Sequence, residues 1–426
     1  MSLFRAGAVY GLSNALSAGI PFIMLPVLTR ALTPAEYGEV VSFFLWVTLC
    51  SSIAGLSLHS AVPVRWIEQE GDGPKTSTGA ALLLVLASST LVAAASAFVA
   101  PLTGLGLSGL SGALAAVVAG CTVVQGIRFG VWQVKDRPWP AALLQIISSA
   151  LNILLSLIGV LMLRAGADGR ILGAVTAFAL IALASVLLLI HGREISLSQS
   201  RNELRHLLRF GLPLVPHALA GAALASADRF AVSSQLGNEA LGMYGTAAQI
   251  GMALTVLADA MVKAYSPAMY RMFRRNNESD RLKVVGIAYL SIPFWAVTGL
   301  AAWVCASLFG PWLLGPEFHE AIRISAWFIA GAAVSGVYLT IAGVFFFSSK
   351  TERISIATAT GAVFAVAVAP IAVRHFGIAG AGATYVGAQL CLLVTAWRLS
   401  HTTFPLPWNQ PLQAIHAVLG YQRLEA

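Results

Sequence analysis

Twelve stretches of about 20 predominantly apolar residues follow one another along this chain, and very few architectures accept such a pattern. A helix of that length crosses the hydrocarbon core of a bilayer. Inside lipid, only helices and closed barrels satisfy every backbone polar group. The stretches cover roughly 6–29, 40–62, 78–101, 109–131, 139–163 and 170–191, then 209–235, 244–269, 285–309, 322–347, 354–373 and 377–399. Of the 426 residues, 58% are hydrophobic and only 10% charged, where a soluble domain carries about 25% charged residues. With a mean hydropathy of +0.79, a soluble enzyme, a secreted disulfide scaffold and a disordered chain are all excluded. The expected fold is an all-α integral membrane protein with twelve transmembrane helices. An N-terminal six-helix bundle (1–191) and a C-terminal one (209–400) are joined by a polar linker (192–208) and followed by a tail (401–426).

The positions of Lys and Arg set the expected orientation. With the N-terminus inside, nineteen of the 26 fall on the cytoplasmic side and five (Arg30, Arg164, Arg170, Arg323 and Arg374) on the other. Arg229 and Lys263 lie within spans. That bias satisfies the positive-inside rule and places both termini in the cytoplasm. The formal net charge of +8 therefore reports topology, and no nucleic-acid partner is expected. Arg5 followed by apolar sequence to Leu28, with no small-residue cleavage site, reads as an uncleaved first span. In the tail, Trp408, Leu412, Ile415, Val418 and Leu419 suit a short helix lying at the cytoplasmic interface.

The two halves echo each other. Phe4-Arg5-Ala6-Gly7 returns as Leu208-Arg209-Phe210-Gly211, Glu36-Tyr37-Gly38 as Met243-Tyr244-Gly245, and Gly166-Ala167-Asp168-Gly169 as Gly377-Ile378-Ala379-Gly380. The offsets are 204, 207 and 211. One six-helix unit used twice enters the membrane with the same polarity each time. Parallel repeats with a substrate site between them are a transporter architecture.

Several patterns carry no chemistry. Gly104-Leu105-Gly106-Leu107-Ser108-Gly109 fits the dinucleotide GxGxxG spacing, but no strand precedes it. The sequon Asn277-Glu278-Ser279 falls on the cytoplasmic side. Cys50, Cys121, Cys305 and Cys391 sit singly in apolar runs, and the eight histidines show no ligand spacing. No cofactor, metal site or catalytic constellation is expected, and His59 and His217 read as core histidines.

Charges inside the spans are the exceptions that matter, since each costs about 2.5–3.5 kcal/mol on insertion scales. Asp228 and Arg229 are adjacent in the seventh span, while Asp259 and Lys263 are four apart in the eighth and can pair. Such pairs either neutralise each other within helix packing or line a hydrated cavity, and spacing leaves both open. Arg30, Arg65 and Arg128 lie at span ends, where a long side chain also reaches the interface by snorkelling. Together Arg30, Arg65, Arg128, Arg229 and Lys263 outnumber Asp228 and Asp259, a balance that suits an anionic cargo, with arginine matched to phosphate. Pro21 and Pro26 interrupt the first span and mark a bend that serves as a gate or as static curvature.

Four segments carry a family resemblance: Pro21–Gly38 (PFIMLPVLTRALTPAEYG), Asp228–Gly245 (DRFAVSSQLGNEALGMYG), Leu313–Ala321 (LLGPEFHEA) and Phe376–Ala383 (FGIAGAGA). In these the chain resembles bacterial polysaccharide-biosynthesis flippases of the Wzx type, in the MOP superfamily that also contains MATE exporters. The resemblance implies two six-helix bundles around a laterally open cavity in a bacterial inner membrane. It also implies an undecaprenyl-diphosphate-linked oligosaccharide turned from the cytoplasmic to the periplasmic leaflet by alternating access. Arg30 and the Asp228-Arg229 pair fall in the family-like segments; Arg65, Arg128 and Lys263 join the diphosphate-binding set on charge alone. Asp228 and Asp259 are the candidates for coupling to H+ or Na+, and the polysaccharide polymerase machinery is a candidate partner. The competing readings are a MATE-like small-molecule antiporter, a polytopic enzyme of the same pathway, for which the chain lacks a sizeable loop, and a scaffold.

Overall fold

The computed structural model describes residues 19, 22–196, 198, 201–275, 277–350 and 352–420. The chain is nearly all helical, with no strand among the described residues. Helix α1 (Phe22–Ala31) is followed by α2 (Pro34–Ala54), α3 (Leu58–Glu68), α4 (Gly73–Val99), α5 (Gly109–Val134), α6 (Pro138–Leu157) and α7 (Gly166–His191). Next come α8 (Arg201–Gly211), α9 (215–236), α10 (238–275), α11 (Glu278–Leu313), α12 (His319–Phe347), α13 (352–376), α14 (378–403) and α15 (Pro411–Leu419).

The starts of these helices are written locally. Thr33 accepts from the Glu36 N–H while its own N–H donates to the Glu36 carboxylate at 2.8 Å, a reciprocal cap that opens α2 with Pro34 in its first turn. Ser108 caps α5 and Asn277 caps α11 in the same way, each accepting a backbone N–H three residues on.

Nine helical segments among the described residues are long and apolar enough to cross a membrane. Two of these run through a glycine that is not helical: Gly237 (φ 82°, ψ −178°) parts α9 from α10, and Gly377 (φ 57°, ψ −139°) parts α13 from α14. Divided there, the segments correspond to the second through twelfth expected spans. Of the first span, α1 is described; Pro21 lies outside the described residues, and Pro26 lies within the helix. The second expected span is broken. Leu56 and Ser57 both take positive φ after Gly55, so α3 sets off as a separate helix, with Pro63 inside it.

Gly237 occupies a backbone region that is essentially closed to side chains, at a cost of about 1–3 kcal/mol. Gly237→Ala is therefore expected to lower the thermal midpoint of the detergent-solubilised protein. Gly221→Ala, in a helix with nothing near its added Cβ, is expected to leave the midpoint unchanged or raise it.

The chain forms two compact units. Unit 1 holds the described residues up to Ala222 together with Ser233–Gly242; unit 2 holds Ala223–Val232 and the described residues from Met243 onward. The core of unit 1 gathers Leu58 and Val62 of α3, Ala81 and Val85 of α4, Ile127 and Val131 of α5, and Leu189 of α7. Leu207 of α8, fully buried, completes this core, so the segment between the two repeats packs as part of unit 1. In unit 2 the tail is equally built in. Leu406, Trp408 and Ala414 are buried with Met269, Phe273 and Val285, and the Tyr289 hydroxyl donates to the Trp408 carbonyl at 2.7 Å.

Candidate functional site

Helices α9 and α10 carry a polar cluster into unit 2. Asp228 sits nine residues before Gly237, about 13 Å along the helix. Its side chain is 2% exposed. Because the chain reverses at Gly237, Tyr244 of α10 comes back alongside, and its hydroxyl donates to Asp228 Oδ2 at 2.7 Å. The other carboxylate oxygen accepts the backbone N–H of Arg229 at 2.9 Å.

The Arg229 guanidinium makes no ion pair with this carboxylate. Neighbouring residues on a helix point about 100° apart, and Arg229 turns back to donate to the Ala225 carbonyl, with its head 5.7 Å from the Phe328 ring centre. Among the described residues no carboxylate lies within ion-pair distance of it. Aromatic side chains pack beside the cluster: Tyr244 on Phe328 at 4.7 Å and Phe328 on Tyr385 at 5.0 Å. Two further polar groups on α10, Thr246 Oγ1 and Gln249 Nε2, are buried with no hydrogen-bond partner among the described residues. Sequence reasoning missed Tyr244, Thr246, Gln249 and Tyr385; the return of the motif Glu36-Tyr37-Gly38 at Met243-Tyr244-Gly245 was the available signal for the first. No group of three or more His, Cys, Asp or Glu gathers among the described residues.

The remaining candidates fall elsewhere. Asp259 and Lys263 form the expected i, i+4 pair at 2.6 Å, both more than half exposed. Arg30 is exposed at the end of α1 and donates to the Pro26 carbonyl at 2.9 Å. Arg65 and Arg128 are in unit 1 with carboxylates of the segment between the repeats. Arg65 grips Glu203 of α8 through Nη2 at 2.6 Å and Nε at 3.2 Å, and Gln69 and Ser77 donate to the same carboxylate. Arg128, 1% exposed, pairs with Glu194 and lies 4.1 Å over the Trp132 ring, while Lys135 reaches Glu194 from the other side at 2.6 Å. Glu194 and Glu203 were invisible to sequence reasoning, because their partners are 66 and 138 residues away.

Burial pushes the Glu194 carboxyl up, but the hydrogen bonds and charges of Arg128 and Lys135 outweigh it and hold the group below its ordinary value of 4.5. A carboxylate whose folded pKa is depressed stabilises the fold fully above its unfolded value, and that contribution fades as pH falls through the folded one. Thermal midpoints measured from about pH 6 down to about pH 3 should therefore fall more steeply for the wild type than for Glu194→Gln.

Solved structures of similar fold define the class. The lipid II flippase MurJ, in an inward closed conformation, matches with a TM-score of 0.74 at 14% identity, over 97% of this chain and 90% of that one. An inward-facing multidrug resistance MATE family transporter of the MOP superfamily matches at 0.69 and 18% identity, over 92% and 93%. The chain is thus a multi-pass membrane protein that shares the fold of these two structures. Residues 3–273 match the family described as polysaccharide biosynthesis protein, and the chain belongs to that family. Two Haemophilus influenzae proteins are similar to it. An Lsg locus protein is 21% identical over 367 residues, covering 83% of this chain and 87% of the relative, and an uncharacterized membrane protein is 21% identical over 370 residues, covering 83% and 86%.

Proposed function

We propose that this protein flips a polyprenyl-diphosphate-linked oligosaccharide from the cytoplasmic to the periplasmic leaflet of a bacterial inner membrane, by alternating access, for cell-surface polysaccharide synthesis. Arg229 carries the reading: a guanidinium in a membrane-spanning helix with no carboxylate partner among the described residues, in a member of a polysaccharide biosynthesis family. A diphosphate with its sugars cannot enter dry hydrocarbon, whereas the polyprenyl chain can remain there. The protein must supply charge-assisted hydrogen bonds to the phosphates, and Arg is suited to make two at once. Arg229 holds the diphosphate, with Lys263 and Arg30 as further cationic contacts. Arg65 and Arg128 serve instead to fasten the segment between the repeats.

Asp228 is the group that couples flipping to an H+ or Na+ gradient, since its carboxylate is buried, accepts hydrogen bonds from Tyr244 and a backbone N–H, and makes no direct ion pair among the described residues. Asp259, neutralised by Lys263 and exposed, is the weaker candidate. Both termini lie in the cytoplasm, and the polymerase machinery of the same pathway receives the product.

Deletion of the gene followed by lipid extraction tests the reading. Accumulation of a diphosphate-linked oligosaccharide on the cytoplasmic leaflet is the expected result, and unchanged lipid pools overturn it. Uptake of cationic dyes by proteoliposomes, without any effect on lipid-linked sugars, would favour the MATE-like antiporter instead.

A further inference from the structure

The turn at Gly237 does not pack with the helices it joins. Ser233–Gly242 belongs to unit 1, whereas Ala223–Val232 before it and the chain from Met243 after it belong to unit 2. Within the turn segment Leu241 is fully buried and Ser233 is 3% exposed.

Glycines make its seat. Gly38 of α2 meets Asn238 so closely that a methyl group on Gly38 would overlap the Asn238 carbonyl oxygen, and one on Gly242 would overlap the Pro34 carbonyl. The connection from α4 to α5 supplies the rest. Gly104 (φ 72°) and Gly106 (φ 69°) hold backbone conformations that favour glycine. A Cβ on Gly104 would lie 3.3 Å from Ser234 Cβ, and one on Gly106 2.8 Å from Asn238 Nδ2. These are the first two glycines of the GxGxxG pattern, and here their smallness serves close approach to a neighbouring segment. Small residues at such crossings let backbones touch, through van der Waals contacts worth only about 0.1–0.2 kcal/mol per atom pair.

A single chain needs one passage between two units, and α9 makes it at Ala222–Ala223. The turn adds two more, at Val232–Ser233 and Gly242–Met243, both inside helices. If the units move against each other with the turn in place, both helices must bend and break backbone hydrogen bonds, which are costly to leave unpaired. Lifting the turn from its glycine seat breaks none of them. Asp228 and Tyr244, joined by their hydrogen bond, stand on the two arms of this turn, five residues before Ser233 and two after Gly242.

We infer that Ser233–Gly242 is a latch of the transport cycle, seated on Gly38, Gly104 and Gly106 in this conformation and lifted from them when access alternates. The inference rests on the alternating-access reading and adds to it the contact that must part.

Gly104→Cys with Ser234→Cys places two Cβ atoms 3.3 Å apart, close to the roughly 3.5–4.5 Å of a disulfide. In the complemented deletion strain this pair is expected to cross-link on oxidation with copper phenanthroline, read by mass spectrometry of the linked peptides. Export of newly labelled polysaccharide is expected to stop on oxidation and to resume after dithiothreitol, while neither single variant responds to the reagents. A cross-linked protein that exports at its reduced rate overturns the latch, and so does a folded double variant that does not cross-link.

Gly38→Ala gives a measurement independent of that pair. Its methyl group crowds the seat, so Ser233→Cys, buried when the latch is closed, is expected to react several-fold faster with a maleimide than it does beside Gly38. Gly173→Ala is the control: its Cβ would lie 2.7 Å from the Leu155 carbonyl, between α6 and α7, and it is expected to leave the rate unchanged. An unchanged rate with Gly38→Ala, or an equal rise with Gly173→Ala, overturns the latch. Labelling does not depend on the cargo. Faster labelling with Gly38→Ala, together with lipid pools unchanged by deletion, would end the flippase reading and keep the latch for a transporter of another cargo.

Discussion

Arg229→Ala is expected to abolish polysaccharide export in a deletion strain complemented with the variant, while the protein still inserts in the membrane at normal abundance. The wild-type guanidinium donates to the Ala225 carbonyl and faces the Phe328 ring, so removing it breaks no direct ion pair among the described residues, though it takes a nearby positive charge from the buried Asp228. Asp228 keeps both of its hydrogen bonds, from the Tyr244 hydroxyl and from a backbone N–H. The loss therefore falls on cargo. Each hydrogen bond to a charged group is worth about 1.5–3 kcal/mol, so losing a bidentate phosphate contact weakens binding by roughly a hundredfold or more. Arg229→Lys keeps the charge but not the fork, and should export at an intermediate level. Arg30→Ala tests the second cationic contact in the same assay. Normal export by both alanine variants would end the case for a cationic diphosphate site.

Arg128→Met should have the opposite signature: a large loss of stability and of protein in the membrane. Glu194 is left 6% exposed with only Lys135 to balance it, and removing one partner of a buried ion pair typically costs about 3–5 kcal/mol. The contact of the guanidinium with Trp132 is lost as well. Arg128→Met combined with Glu194→Met removes the stranded charge and should recover much of the loss in a thermal unfolding assay. A single variant as stable as the wild type would show that the pair does not hold the segment between the repeats.

These two arginines looked alike in the sequence, each a cation in or near an apolar span and each assigned to the same cationic set. What separates them is the nearest carboxylate. For Arg128 it is Glu194, 66 positions on, and for Arg65 it is Glu203, 138 positions on; no periodicity links residues so far apart. For Arg229 the adjacent Asp228 suggested a pair, yet neighbouring side chains diverge on a helix and the carboxylate turned to Tyr244. Asp259 and Lys263, four apart, could be paired by spacing alone, and they are found 2.6 Å apart. Local geometry was legible wherever a single helix determined it. The break at Gly55–Ser57, where two non-glycine residues take positive φ, left no such trace.

The transmembrane character of the chain and its all-helical class follow from composition and order alone. Lipid offers no hydrogen bonds, so every backbone group must be satisfied within its own apolar segment, and that requirement is written residue by residue. The polar minority is different. A charge inside a membrane protein is stable only with a partner, and the partner is chosen by the packing of distant segments. Sequence therefore named the charges that had to be accounted for. Packing then sorted them, fastening Arg65 and Arg128 to the segment between the repeats, turning Asp228 to Tyr244, and leaving Arg229 without a carboxylate partner among the described residues.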